Sequence, residues 1–222
     1  MSDRLAVEFA PLKAPLQPVA AILSAQDLTF GPQTRTIDSK ANGLVAKAAE
    51  AAEFKGKAKT AIEVLAPAGL DLRRLVVIGV GQPDQAKETD WVNLGGYAYA
   101  QIAARKGEAA SLVAEVPDPK SRTAADLAAD LAFGAVLRSY RFRKYTTRKK
   151  ENGEDAKQEN GLQRLVIHTA DPSGAEAAFA RRKAVADGMF FARDLVNEPA
   201  NVLGPVEFAE RVEELRRYGV EV

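Results

Sequence analysis

Cysteine is absent from the 222 residues, which excludes a disulfide framework, thiol catalysis and thiolate metal sites and fits a reducing compartment. Histidine occurs once, as His168. A zinc site built on histidines is therefore excluded, and a Ser–His–Asp triad would have to use this residue alone. No serine lies in a nucleophile-elbow sequence, so His168, at the end of an apolar run, reads as a structural or partly exposed histidine. No apolar stretch approaches the roughly 18 residues of a membrane span. No basic stretch followed by an apolar run opens the chain as a secretory leader would. Charge of one sign is also lacking: 31 Lys and Arg meet 30 Asp and Glu, for a net +1. That balance predicts no strong global attraction to nucleic acid or anionic lipid. A soluble, cytoplasmic protein without a membrane partner is the expectation.

What is present is an ordinary globular composition, 46% apolar and 27% charged, long enough to bury roughly 70% of the unfolded surface. Short apolar runs read as strands at Leu5–Phe9, Val19–Leu23, Thr60–Leu65, Leu75–Gly81, Ser111–Val116 and Arg164–His168. The Leu75–Gly81 run is nearly continuous and β-branched, which suits a central strand covered on both faces. Between them, alanine-rich Ser39–Glu53 predicts a helix. Another opens near Asp90 with Thr89 as N-cap, placing Trp91, Leu94, Ala98 and Ile102 on one face. Gly95 and Gly96 inside it predict close approach of the helix to a strand. Thr123 and Asp126 form a capping-box signature before a helix with Ala124, Leu127, Leu131 and Ala135 on one stripe. Ser173 and Glu176, beside Pro172, form a second, opening a long helix to about Asn197 with Val185, Met189, Ala192 and Val196 on one face. Pro199 stops it. A further helix is expected over Val206–Arg217, with a strand starting at Val220, and Glu151–Gly161 reads as a surface loop. Alternating strands and helices predict an α/β fold with a largely parallel or mixed sheet.

Three segments carry candidate chemistry. Gly79-Val80-Gly81 follows a buried strand, but a dinucleotide fingerprint needs a third glycine where Asp84 stands, so a glycine turn is expected. Arg138–Lys150 is basic with interleaved aromatics, which could hold phosphates and stack bases. Acidic Glu151, Glu154, Asp155 and Glu159 follow at once and offset its field, so a solvated surface with inward aromatics is the reading. Most carboxylates sit beside lysine or arginine on helix faces, as weak surface ion pairs do. From chemistry alone no catalytic constellation emerges.

Phe54-Lys55-Gly56-Lys57 precedes a strand and then Arg74-Leu75-Val76-Val77-Ile78-Gly79-Val80-Gly81. Tyr140-Arg141-Phe142-Arg143-Lys144-Tyr145-Thr146-Thr147 forms a second stretch, and Ala192-Arg193-Asp194-Leu195-Val196-Asn197-Glu198-Pro199-Ala200-Asn201-Val202-Leu203 a third. Together, and in order, they resemble the leucyl (cytosol) aminopeptidase family, the third being the most specific. Arg143 stands where that family usually has aspartate, and Thr146 where it usually has lysine. The resemblance implies a macro-domain-like mixed sheet flanked by helices over residues 1–170, a linking helix over 171–197, and the start of a catalytic peptidase domain, cut short, over 198–222. It also implies a cytoplasmic homohexamer that removes N-terminal amino acids from peptides, leucine favoured, with two zinc or manganese ions activating a bridging water. The family's metal-binding run, Asn-Thr-Asp-Ala-Glu-Gly-Arg, does not occur here. No catalytic, cofactor-binding or metal residue is therefore carried over, and these residues are expected to be inactive alone, with a role in assembly and active-site access. Two alternatives stay open: a module for ADP-ribose or a related nucleotide, and a DNA contact through Arg138–Lys150.

Overall fold

The computed structural model describes residues 4–105, 107–117, 119, 122–145, 150–151, 154–155 and 161–222. The chain divides into two units, Met1–Lys183 and Ala184–Val222. The first is built on a six-stranded sheet of β1 (Ala6–Pro11), β2 (Val19–Ala25), β3 (Ala61–Leu65), β4 (Arg74–Gly81), β5 (Ala109–Val113) and β8 (Arg164–Thr169), in the order β1-β8-β5-β2-β4-β3. All neighbours are parallel except β3, which pairs antiparallel with β4 at one edge. A separate ribbon joins β6 (Lys150–Glu151) to β7 (Glu154–Asp155). The expected mixed α/β sheet is observed. The ribbon lies where a plain loop was expected, and the rest of Glu151–Gly161, apart from Gly161 itself, is outside the described residues.

Strand β2 is buried at every residue and β4 at all but Arg74, so both faces of the sheet centre are covered, as continuous apolar runs require. On one face Ala20, Ile22, Leu75 and Val77 pack with Ile37 of α1 (Pro32–Lys40) and with Val45 and Ala49 of α2 (Leu44–Ala51). On the other lie α3 (Glu88–Ala103) and α4 (Ala124–Ser139), which contact the sheet through β2, β4 and β8 and pack closely on each other. The face expected of α3 is the buried one: Trp91, Leu94, Ala98 and Ile102 are at most 4% exposed.

Several local expectations are corrected. The helix expected over Ser39–Glu53 is two helices, broken because Asn42 (φ 54°) and Gly43 (φ 68°) are both left-handed; Asp38 Oδ1 accepts from the Val45 amide across the break, at 2.9 Å. Helix α3 starts before Thr89: the Lys87 N–H donates to Asp90 Oδ2 at 2.9 Å. Gly95 accommodates the backbone of α4 at Leu131, not a strand, and Gly134 of α4 accommodates Val92 of α3 in return. The helix α5 (Pro172–Asn197) is capped by Asp171, whose Oδ1 accepts from the Gly174 amide at 2.9 Å, rather than by Ser173. Thr123 does cap α4, accepting from the Asp126 amide at 3.0 Å.

The second unit contains the end of α5, α6 (Pro205–Glu213) and a 3-10 turn over Glu214–Tyr218. The strand expected at Val220 is not formed; Gly219 turns left-handed (φ 80°) and residues 220–222 pair with no strand among the described residues. Val185, Met189 and Val196 share a face of α5, but that face is exposed, to 84% at Val196. Among the described residues no helix is long and apolar enough to cross a membrane.

Candidate functional site

The glycines at the end of β4 serve the fold. The Gly79 N–H donates to Thr60 O (2.8 Å), the Gly81 N–H donates to Gly56 O (2.9 Å), and Gly79 O accepts from the Lys59 amide (3.0 Å). A side chain at Gly79 would collide with the backbone of Gly56 and Lys57. These amides are spent on the 56–60 segment and cannot cradle a phosphate. Beside them, at the carboxyl end of β4, opens a cleft of about 530 Å³ whose walls include Lys57, Lys59, Gln82, Asp90, Trp91 and Leu94. Trp91 is 1% exposed and its indole N–H has no partner. The cleft lies where open α/β sheets tend to hold ligands, but Glu88 and Asp90 put negative charge in the first turn of α3, where a bound phosphate would need positive potential.

His168 is fully buried. Its Nδ1 lies 3.3 Å from Pro11 O and its Nε2 lies 2.9 Å from Ser111 Oγ. A carbonyl can only accept, so Nδ1 carries the proton and Nε2 accepts from the Ser111 hydroxyl. Ser111 Oγ in turn accepts from the Gln17 amide at 2.9 Å. Burial holds the imidazole pKa below its ordinary value, with the Pro11 carbonyl pulling the other way. The Ser–His pair thus ties the 11–17 connection to β5 and β8. With a carbonyl in place of an orienting acid and complete burial, the pair lacks the arrangement of a hydrolytic dyad.

One fully buried carboxylate was not foreseen. Asp130 of α4 has no exposed surface. It accepts from Arg122 Nε at 2.9 Å, with Arg122 Nη2 also in contact, and from Arg182 of α5 at 2.7 Å. Arg182 also reaches Asp126 Oδ1 at 3.3 Å, and Arg122 lies 3.4 Å from Glu88. Burial pushes the Asp130 carboxyl up, with the two guanidiniums pulling against that shift. The Asp126 carboxyl is held below its usual range, first by the Thr123 hydroxyl and then by Arg182. The residues come from three parts of the sequence, so no local pattern announces the cluster.

Of the basic segment, residues 146–149 lie outside the described residues, as does the Lys150 side chain. The Phe142 and Tyr145 rings lie 5.8 Å apart, tilted by 55°, with Lys144 over the Tyr145 ring, and Tyr145 is 47% exposed, so this aromatic does not point inward as expected. Among the described residues no three His, Cys, Asp or Glu side chains come together to hold a metal ion. The pair of divalent ions that the resemblance implies therefore finds no such donor set among the described residues.

Residues 21–149 match the N-terminal domain of the cytosol aminopeptidase family. The whole chain is 41% identical to a probable cytosol aminopeptidase of Xanthobacter autotrophicus and 40% identical to one of Afipia carboxidovorans, and it spans 43% of the length of each. Among solved structures it is similar to a tomato leucine aminopeptidase mutant, with a TM-score of 0.75 and 21% identity over 98% of this chain and 43% of that one. It is also similar to the bottromycin maturation enzyme BotP, with a TM-score of 0.64 and 22% identity over 94% of this chain and 38% of that one.

Proposed function

The chain belongs to the cytosol aminopeptidase family and contains its N-terminal domain, and from that premise we propose that it is the non-catalytic part of a two-metal leucyl aminopeptidase. Supporting this reading is one combination of observations: the family match runs through a stretch in which no metal-holding group forms among the described residues, while the curated relatives are more than twice as long. The ions, the hydrolytic residues and the peptide-binding surface belong to sequence outside these 222 residues. The parent enzyme removes N-terminal amino acids, works in the cytoplasm and assembles as a hexamer.

Residues 1–170 then act as the assembly and access domain, 171–197 as the link, and 198–222 as the entry to the catalytic domain. The exposed apolar side chains of the second unit fit this role. Val185 and Val196 of α5 and Val206 and Phe208 of α6 are 49–84% exposed, more apolar surface than a short solvent-facing helical segment normally shows. The rest of the enzyme covers them. The test is hydrolysis of a leucyl chromogenic substrate with added manganese. The 222-residue chain should show no turnover above buffer and the parent enzyme robust turnover; turnover by the isolated chain would refute the assignment.

The cleft at the end of β4 favours a second reading, a nucleotide module for ADP-ribose. Lys57 and Lys59 support it, while the spent glycine amides and the acidic start of α3 weigh against it. Calorimetric titration with ADP-ribose giving no heat would dismiss it.

A further inference from the structure

At the amino ends of β1 and β8 lies a small pocket whose walls include Arg4, Leu5, Tyr99, Arg141, Arg143 and Leu162. Its volume is about 50 Å³. That is several times the roughly 10–15 Å³ needed to hold one water and far below the roughly 300–1,000 Å³ of a drug-sized ligand site. A group the size of a tetrahedral oxyanion fits it.

Apart from the exposed Gln163 side-chain amide, the polar groups left over in this pocket are donors. Tyr99 is 5% exposed, and its hydroxyl makes no hydrogen bond among the described residues. Arg141 and Arg143 likewise make no ion pair or hydrogen bond among the described residues. Both charges reach Tyr99: burial pushes its hydroxyl pKa up, and the two guanidiniums pull it down. Nearby backbone groups are already committed. The Ala6 N–H donates to Gln163 O (2.8 Å) and the Gln163 N–H to Glu108 O (2.9 Å), while the Ser139 hydroxyl donates to Val136 O (2.7 Å). A guanidinium has only donors, so the complementary guest is an anion with several acceptor oxygens.

A second cleft, of about 710 Å³, shares Arg141, Arg143, Gly161 and Leu162 with this pocket. Arg73 adds a third cation to it, and Glu108 is the single carboxylate among the described residues that line it. Its size is that of an ordinary small-molecule site.

We propose that Tyr99, Arg141 and Arg143 bind the phosphate group of a small phosphate monoester whose organic part lies in the adjoining cleft. The site owes nothing to the peptidase reading and stands or falls separately from it.

The experiment is calorimetric titration and thermal unfolding of the 222-residue chain with inorganic phosphate, glycerol 3-phosphate, sodium chloride at matched ionic strength, and a short single-stranded oligonucleotide. Phosphate and glycerol 3-phosphate should bind and raise the unfolding midpoint beyond chloride. Arg141→Gln and Arg143→Gln should each weaken binding about tenfold or more, the scale of losing a charge-assisted hydrogen bond. Tyr99→Phe should weaken it severalfold yet leave the ligand-free midpoint unchanged, because the hydroxyl has no partner to lose. Arg138→Gln, outside both cavities, should bind as the parent does. No binding beyond chloride, or equal binding by the parent and the arginine variants, would overturn the proposal. So would arginine-dependent binding of the oligonucleotide with none of inorganic phosphate.

Discussion

Replacing Asp130 with alanine removes a fully buried carboxylate shared by two guanidiniums. Asp130 is fully buried, while the Arg122 and Arg182 side chains keep 17% and 19% exposure. Deleting one partner of a buried ion pair costs about 3–5 kcal/mol, because the remaining charge is left without compensation. Here the arginines retain some solvent, and Asp126 and Glu88 still lie within 3.3–3.4 Å of them, so the low end, about 3 kcal/mol, is expected. For a protein of this size that lowers the unfolding midpoint by about 6–12 °C. Circular dichroism of the parent and Asp130→Ala across a thermal ramp reads it directly. The triple change Asp130→Leu, Arg122→Met, Arg182→Met should recover most of the loss, since apolar replacement of a whole buried charge cluster is often neutral or better. A midpoint shift under 2 °C in the single variant would refute the claim that this cluster holds α4 and α5 together.

Two further outcomes follow from contacts already described. Gly134→Ala places a methyl against the Val92 backbone; overpacking of that kind costs about 1–3 kcal/mol and should lower the urea midpoint without changing the slope. For His168 the sign runs against acid: burial depresses the folded pKa, so the unfolded chain binds the proton first. Stability should be full above the unfolded value of about 6.5 and fall as pH drops below it toward the folded value. A His168→Gln variant should lose that slope in denaturant titrations between pH 7.5 and 5.5, and an unchanged slope would contradict the buried neutral imidazole.

The sheet centre was legible because burial on both faces leaves an unmistakable run: Val19–Leu23, Leu75–Gly81 and Arg164–His168 all fall inside observed strands. The buried face of α3 was legible for the same reason in helical period; α4, read as a single stripe, is instead buried nearly all round, Asp130 included, with Ala124 outside its buried residues. Misreadings came where one or two residues change the backbone locally. Asn42-Gly43 carries a turn signal that the surrounding alanines masked, and Asp171 caps α5 from just before Pro172, two residues ahead of the equally cap-like Ser173. The glycines of α3 announced a close approach but not its partner, since α4 lies some 35 residues further on. The Asp130 cluster joins residues 52 positions apart, and the Gln17–Ser111–His168–Pro11 chain joins residues 94 and 157 positions apart. Only the fold creates them.

Direct metal analysis most sharply tests the central claim, that the ion-holding groups of the aminopeptidase lie outside these residues. The 222-residue chain is dialysed against manganese or zinc, passed through a desalting column and assayed by elemental mass spectrometry beside the parent enzyme. The account predicts no stoichiometric metal on the chain and two ions per subunit on the parent. Two ions retained by the chain itself would contradict it.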